Sequence, residues 1–354
     1  MPQVRFNAAV AIARATGGAE MPSAAFDGLA EALQGGETEV RRAAARAIAT
    51  AGGASGHAID ALGLALEDPA AEVRVSAASA VGDVAARREI PQELVQRLAA
   101  AFGDGECQVR VHAAWAIAQV ANRSVLPAEV IEALGAAARD DEAEVSRNAV
   151  GALALAARKG ELPGGVIDAL TENLQHGGRV ARYNAALALG SAASRREISS
   201  AAIGALGAAL REGEGDVRRA AARALGKAAG SNGMSPPVLD ALGESLRDGE
   251  REVRRHAARA IAKAAGRSHD VPTDVLSALA GALKDDAKEV RRSAAKAIGE
   301  IAAVNELPPG VLLCLGDARE DSEAEVRNLV ARAIWKAARS TDIPEAMRAS
   351  LGLL

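Results

Sequence analysis

EVRRHAARAIAKAAGR, residues 252–267, carries six basic side chains and a run of alanines on what reads as one helix. Val253, Ala257, Ile261 and Ala264 recur at i, i+4, i+8 and i+11, which gathers them on a single helical face. That face is a core built mostly from alanine. The charges fall around it, and their division between scaffold and free surface decides how far the sequence speaks to function.

The stretch has siblings throughout the chain: QVRFNAAVAIARAT (3–16), EVRRAAARAIATAG (39–52), EVRVSAASAVGDVA (72–85), QVRVHAAWAIAQVA (108–121), EVSRNAVGALALAA (144–157), RVARYNAALALGSA (179–192), DVRRAAARALGKAA (216–229), EVRRSAAKAIGEIA (289–302) and EVRNLVARAIWKAA (325–338). We align them on Ile12, Ile48, Val81, Ile117, Leu153, Leu189, Leu225, Ile261, Ile298 and Ile334. Successive copies lie 36 residues apart, with one gap of 33 and one of 37. Such a period is the mark of a repeat architecture. Between these helices, termed B, lies a second amphipathic segment, termed A, as in GVIDALTENLQ (165–175) and DVLSALAGALKDDAKEV (274–290). Proline opens A repeatedly, as in EIPQEL (89–94) and VLPAEV (125–130), which suits a first helical turn. Acidic turns such as EDPAAE (67–72) and RDDEAE (139–144) join A to B. Glu39, Glu72, Glu144, Asp216, Glu252, Glu289 and Glu325 stand just before the recurring valine, where the positive end of helix B favours an acid.

Composition agrees. The chain has 354 residues, of which 49% are apolar but only 2% aromatic. Alanine buries little area, so the core must come from closely approaching helices. The net charge of −4 gives no global reason to expect nucleic acid or membrane binding, and any basic surface must be local. Cys107 and Cys314 lie far apart without CxxC spacing, which fits a reducing compartment. No stretch approaches about 18 uninterrupted apolar residues, so the expectation is a soluble cytoplasmic protein with no membrane partner.

A short helix, an acidic turn, a VRxxAAxAI helix and a glycine- or proline-marked turn at this period resemble the HEAT repeat. The alanine-rich form of phycobilin-lyase-type HEAT repeats is the nearest likeness, and it covers the whole chain. The resemblance implies an all-α fold, an α-solenoid: a superhelix of about ten two-helix repeats, one domain over residues 1–354. That domain starts on a B helix and ends on an A helix, IPEAMRASLGLL (343–354). Solenoids need polar caps, and here each end is half a repeat. A fragment of a longer protein is one reading. Head-to-tail self-association through the unpaired terminal helices, or closure of one chain into a ring, is the other. For function the resemblance implies macromolecule binding and only occasional catalysis.

Numbering helix B from its valine as position 0, positions 0, 4, 8 and 11 form the core and positions 2, 6 and 10 point the opposite way. Position 1 borders the core and is Arg5, Arg41, Arg74, Arg110, Arg218, Arg254, Arg291 or Arg327. Beside an acidic turn such an arginine reads as structural, paired with a carboxylate such as Asp248, Asp285 or Asp321 of its own or the next repeat. The resemblance implies that B helices line the concave side, so positions 2, 6 and 10 would face the groove. The last four repeats place there Arg219, Arg223, Lys227; Arg255, Arg259, Lys263; Arg292, Lys296, Glu300; and Asn328, Arg332, Lys336. The earlier repeats place there mainly apolar or neutral residues, including Val75, Val111, Trp115, Leu155 and Tyr183. A solvated face is the bland reading of the basic stripe, but such a face would mix signs, and Glu300 is the one acid among the twelve. Like charges three and four apart are also mildly destabilising.

Three of the six aromatics, Phe6, Trp115 and Tyr183, fall at position 2 or 6, and Trp335 falls at position 9. Exposed aromatics are typical interface anchors, and Trp115, flanked by Val75, Val111 and Leu155, is the candidate anchor. Phe6 and Trp335, near the ends, can equally be read as covering an incomplete repeat. Two repeats break the pattern: position 1 is Ser146 in the fifth, and in the sixth QHGGRVARYNAAL (175–187) has no acid in its turn and puts Arg182 at position 1. A bend there and simple drift are both open.

No catalytic constellation emerges. His57, His112, His176, His256 and His269 never fall within one turn of each other, and no His-Glu pair occurs, unlike deoxyhypusine hydroxylase, a HEAT-repeat enzyme. No GxSxG, Walker loop or strand-borne GxGxxG is present. The expectation is therefore no enzyme, no metal and no cofactor, with a bilin lyase suggested by resemblance alone. Two functional readings remain. One is a scaffold that holds a protein or acidic peptide on its concave face. The other is duplex nucleic acid on the basic stripe, as in HEAT-like DNA glycosylases, with steep salt dependence.

Overall fold

The computed structural model describes residues 7, 11, 22–51, 55–195, 198–265, 271–340 and 343–353. Arg5, Phe6, Val10, Ile12, Arg14, Arg267 and His269 lie outside the described residues. Among the described residues every regular element is helical, and the chain divides into two compact units, residues 1–188 and 189–354. The first unit contains α1 (Ser23–Gln34), α2 (Thr38–Thr50), α3 (Gly56–Ala65), α4 (Ala71–Arg87), α5 (Gln92–Ala100), α6 (Cys107–Arg123), α7 (Ala128–Ala137), α8 (Ala143–Ala156) and α9 (Gly164–His176). Helix α10 (Arg179–Ala193) crosses the boundary in sequence. The second contains α11 (Ser200–Glu212), α12 (Gly215–Ala228), α13 (Pro236–Glu244), α14 (Arg251–Ala265), α15 (Thr273–Ala282), α16 (Lys288–Ile301), α17 (Pro309–Asp317), α18 (Ala324–Ser340) and α19 (Glu345–Leu351). Odd-numbered helices are the A helices and even-numbered ones the B helices.

Within each unit the helices form two layers. Successive B helices pack side by side, successive A helices do the same, and each B rests on its own A. Core positions 0, 4, 8 and 11 are buried in every described B helix. Alanine at position 4 lets the helices approach closely enough for these thin layers to exclude water. The prolines that open the A helices sit one residue outside them: Pro91, Pro127, Pro163, Pro272 and Pro308 are N-caps in extended backbone. Their carbonyls accept the first helical N–H groups, as Pro127 does from Val130 at 3.1 Å. Proline's fixed φ serves this cap as well as the first turn, where Pro236 sits.

Position 1 is a ladder. The guanidinium forks of Arg41, Arg74, Arg110, Arg218, Arg254 and Arg291 each grip an aspartate of the next repeat's turn: Asp68, Asp104, Asp140, Asp248, Asp285 and Asp321. Each is bidentate, as in Arg110 Nε to Asp140 at 2.7 Å and Nη2 at 3.0 Å, while Nη1 donates to Asp104 O of the arginine's own turn at 3.0 Å. The same aspartates accept a backbone N–H two residues on, so one carboxylate closes the turn and ties two repeats together. The pairing arginine holds the carboxyls of Asp68, Asp104 and Asp140 below the usual range. For Asp248, Asp285 and Asp321 burial pulls upward, and the arginine and backbone hydrogen bonds together outweigh it.

At Ser146 the ladder changes chemistry. Its hydroxyl meets the carboxamide oxygen of Asn173 at 2.9 Å and donates to Ala138 O at 2.8 Å. Asn173, buried in α9, donates to the same carbonyl at 2.7 Å. A neutral network thus stands where the preceding repeat holds the Arg110–Asp140 ion pair. Two further sets of inter-repeat contacts carry no sequence motif. On the A helices Arg97 pairs with Glu67, Arg139 with Glu172, Arg211 with Glu244 and Lys284 with Asp317. At the ends of B helices Arg87, Arg123 and Lys263 donate to the last carbonyls of the preceding B helix, at Ala49, Ala86 and Gly226, where the helix dipole favours a cation.

Candidate binding surface

The outward positions of α12, α14, α16 and α18 separate into three rows with different electrostatic fates. Position 2 is largely neutralised. Arg219 pairs with Glu250 at 3.2 Å, Arg255 with Glu252, and Arg292 with Glu325 at 2.9 Å. The acids ahead of the valines therefore do more than meet the helix dipole: Glu252 and Glu325 also hold position-2 arginines. Arg255, expected to face out, is half-buried between Glu252 and His256. Burial and then the Arg255 charge push His256 down to about 4, against the pull of Glu252, so this histidine is neutral at physiological pH.

Position 10 is engaged as well. Lys263 donates to Gly226 O at 2.7 Å, Lys336 pairs with Glu300 at 3.4 Å, and Lys227 is half-buried. Position 6 is different. Arg223, Arg259, Lys296 and Arg332 are all exposed, and none has a carboxylate partner among the described residues. Ten outward cations in the sequence thus reduce to one row of four open charges, one per B helix.

The apolar set of the first unit is largely consumed by packing. Val111 is 6% exposed and corrects the expectation of an outward residue: the next B helix covers it, and the Asn148 side chain donates to its carbonyl at 3.4 Å. Val75 packs with Phe102 against Ala101, Val109 and Ala113. Trp115 is half-buried over Gly82 of the preceding B helix, where a Cβ would come within 2.1 Å of ring atom Cζ3. Leu155 and Tyr183 are also half-buried. B helices lie so close together that position 2 or 6 of one meets the flank of its neighbour, which a single-helix projection does not register.

A depression on the B-helix side lies between α16 and α18, a groove of about 460 Å³. Ala295, Lys296, Gly299 and Glu300 line it from α16, and Leu329, Arg332, Trp335 and Lys336 from α18. Trp335 is 60% exposed, and the Arg339 guanidinium lies 4.8 Å from a ring centroid. Sequence reasoning left Trp335 among the residues covering an end. The signal that distinguishes it is its register: position 9 is otherwise Ala or Gly (Ala49, Gly82, Ala118, Ala154, Gly190, Gly226, Ala262, Gly299). Among the described residues no cluster of three His, Cys, Asp or Glu is arranged to hold a metal, and no helix is long and apolar enough to cross a membrane. Cys107 and Cys314 are free thiols.

Comparisons with known proteins follow the same architecture. The family profile described as HEAT repeats matches residues 91–190, 167–262 and 239–335. The crystal structure of an engineered protein superposes with a TM-score of 0.65 at 23% identity, covering 96% of each chain. A chain from a structural study of a phosphorylation switch controlling the interaction between cadherin and beta-catenin superposes with a TM-score of 0.62 at 14% identity. That match covers 82% of this chain and 62% of the other. No curated protein matches the sequence.

Proposed function

The chain belongs to the HEAT-repeat family, and from that premise we propose that it is a non-catalytic scaffold holding an acidic protein segment across the B helices of residues 189–354. The α-solenoid of HEAT repeats is generally a protein-interaction scaffold, and an acidic partner suits this one. The open row Arg223, Arg259, Lys296 and Arg332 carries it. Every other outward arginine in these four helices gives its charge to a neighbouring carboxylate, so a merely solvated face does not account for a row left open. Charges of one sign on a fixed row set on-rate and selectivity for the opposite sign.

Duplex nucleic acid is the second reading, supported by the same row. Against it stand Glu250, Glu252, Glu300 and Glu325 within the stripe, which would face a dense phosphate backbone, and the net charge of −4. The two free thiols fit a reducing, cytoplasmic setting. Head-to-tail self-association is a separate proposal, which light scattering showing a clean monomer would remove.

Fluorescence anisotropy across a salt series tests the main reading, with a labelled acidic peptide and a labelled DNA duplex titrated side by side. The expected result is peptide binding that weakens with salt and disappears when Arg223, Arg259, Lys296 and Arg332 are changed to Glu. Duplex binding with a log–log salt slope of about −3 to −4, as four phosphate contacts would give, and no peptide binding would install the second reading.

A further inference from the structure

We propose that the groove between α16 and α18 is the anchoring subsite of this surface, taking one large apolar side chain from a peptide in polyproline-II conformation whose carboxylates recur at every third residue. The inference rests on the acidic-partner reading and goes beyond it, to the partner's conformation and sequence pattern.

Spacing sets the pattern. Arg223, Arg259, Lys296 and Arg332 hold the same register position on four successive B helices. Packed helices lie about 8–10 Å apart. A polyproline-II chain advances about 3.1 Å per residue and turns once every three, so three residues cover one helix layer and return the side chain to the same face, whereas a β-extended chain would alternate faces. Acids at i, i+3, i+6 and i+9 then meet one cation each. Contiguous acids would leave two of every three charges between layers, without a partner.

The groove supplies what a row of charges lacks, an apolar contact at a fixed place. Ala295 and Gly299 line the α16 side, where a Cβ on Gly299 would already touch Ala333 at 3.5 Å; the absence of a side chain there keeps the depression open. Leu329 and the exposed Trp335 ring line the α18 side. Lys296 and Arg332 both border the groove. The apolar residue of the peptide therefore falls between the two acids that those cations hold, and its burial adds an aromatic contact to charge pairing. Lys336 is already neutralised by Glu300, which leaves two open charges at the rim. With Arg339 on the Trp335 ring, the indole is held in place before a partner arrives, which lowers the ordering cost of binding.

Three labelled peptides of matched length and charge test this by anisotropy on the full chain. One has glutamates at every third residue and a phenylalanine between the last two. One has the same residues with the glutamates contiguous, and one replaces the phenylalanine by serine. The first should bind at least tenfold more tightly than the second and about fivefold more tightly than the third. Trp335→Ala should erase the advantage of phenylalanine, and Trp335→Phe should restore most of it. Equal affinity for all three, unchanged by Trp335→Ala, overturns the inference while leaving the acidic-partner reading intact. No binding of any peptide overturns both. A DNA duplex that binds more tightly than the first peptide does the same.

Discussion

Gly82 is a position where a favourable local change should become unfavourable through one neighbour. It lies inside helix α4, where replacing Gly by Ala ordinarily gains about 1 kcal/mol from helix propensity. A Cβ there would lie 2.1 Å from Trp115 Cζ3 and 2.5 Å from Cε3, whereas carbon atoms are comfortable at about 3.5–4.0 Å. The methyl intrudes by about 1.5 Å, and the ring cannot retreat without leaving the flank of α4. Overpacking of this kind costs about 1–3 kcal/mol. Gly82→Ala alone should therefore be neutral to destabilising by up to about 2 kcal/mol, while in a Trp115→Ala background it should stabilise by about 0.5–1 kcal/mol. The coupling is about 1–3 kcal/mol. Urea unfolding of the four proteins of this cycle measures it. Solenoid repeats unfold with limited cooperativity, so the shift is read in the transition that reports α4 and α6. Amide hydrogen exchange of α4 and α6, followed across the urea series, supplies that reporter in all four proteins, including the two that lack Trp115. A Gly82→Ala effect of the same sign and size with and without Trp115 would refute the packing argument.

Other consequences are shorter to state. Arg110→Ala strands a carboxylate that is 13% exposed and should cost about 2–3 kcal/mol in urea unfolding, whereas Arg219→Ala, at an exposed pair, should cost under about 0.5 kcal/mol. Asn173→Ala removes the link between the two repeats and leaves only the Ser146 hydroxyl bond to Ala138 O within one repeat, for about 1–3 kcal/mol. All six ladder aspartates have carboxyls held below the ordinary range, so their contribution is fully present above the unfolded value near pH 4 and lost as pH falls through the lower folded values. The urea midpoint should be flat from about pH 7 to 5 and should drop below about pH 4; a steady decline beginning near pH 6 would contradict the ladder as its source.

The helix registers, the alanine core and the scaffold role of position 1 were all legible in the sequence, because a buried face imposes a period that any copy of the repeat reveals. Asp248, Asp285 and Asp321 were even identifiable as ladder partners, since each stands five residues before the recurring valine. The fate of the remaining charges was not legible. Whether Arg292 meets Glu325 depends on how far one B helix is offset along the next, and thirty-three residues of sequence separate the two. Val111 looked outward on a single helical projection and is covered by α8, because alanine-lined helices approach closely enough to enclose aliphatic side chains on their flanks. Trp115 is half-buried and Trp335 exposed for the same reason. The first rests on a glycine of the preceding helix; the second stands where its counterparts are Ala or Gly. The gap at Ser146 was visible as a lost arginine, but the replacement by Asn173 was not, since no acid or spacing marks it.

An acidic partner would be held by the row of open cations and not by basic character as such. The direct measurement is anisotropy of one labelled acidic peptide on two neutralised variants. In the first, Arg223, Arg259, Lys296 and Arg332 become Gln; in the second, the carboxylate-paired Arg219, Arg255 and Arg292 become Gln. The first variant should lose at least tenfold in affinity together with most of the salt dependence, and the second should stay within about threefold of the unmodified chain; an acidic partner held by the open row requires this difference. Equal losses in the two variants would contradict it.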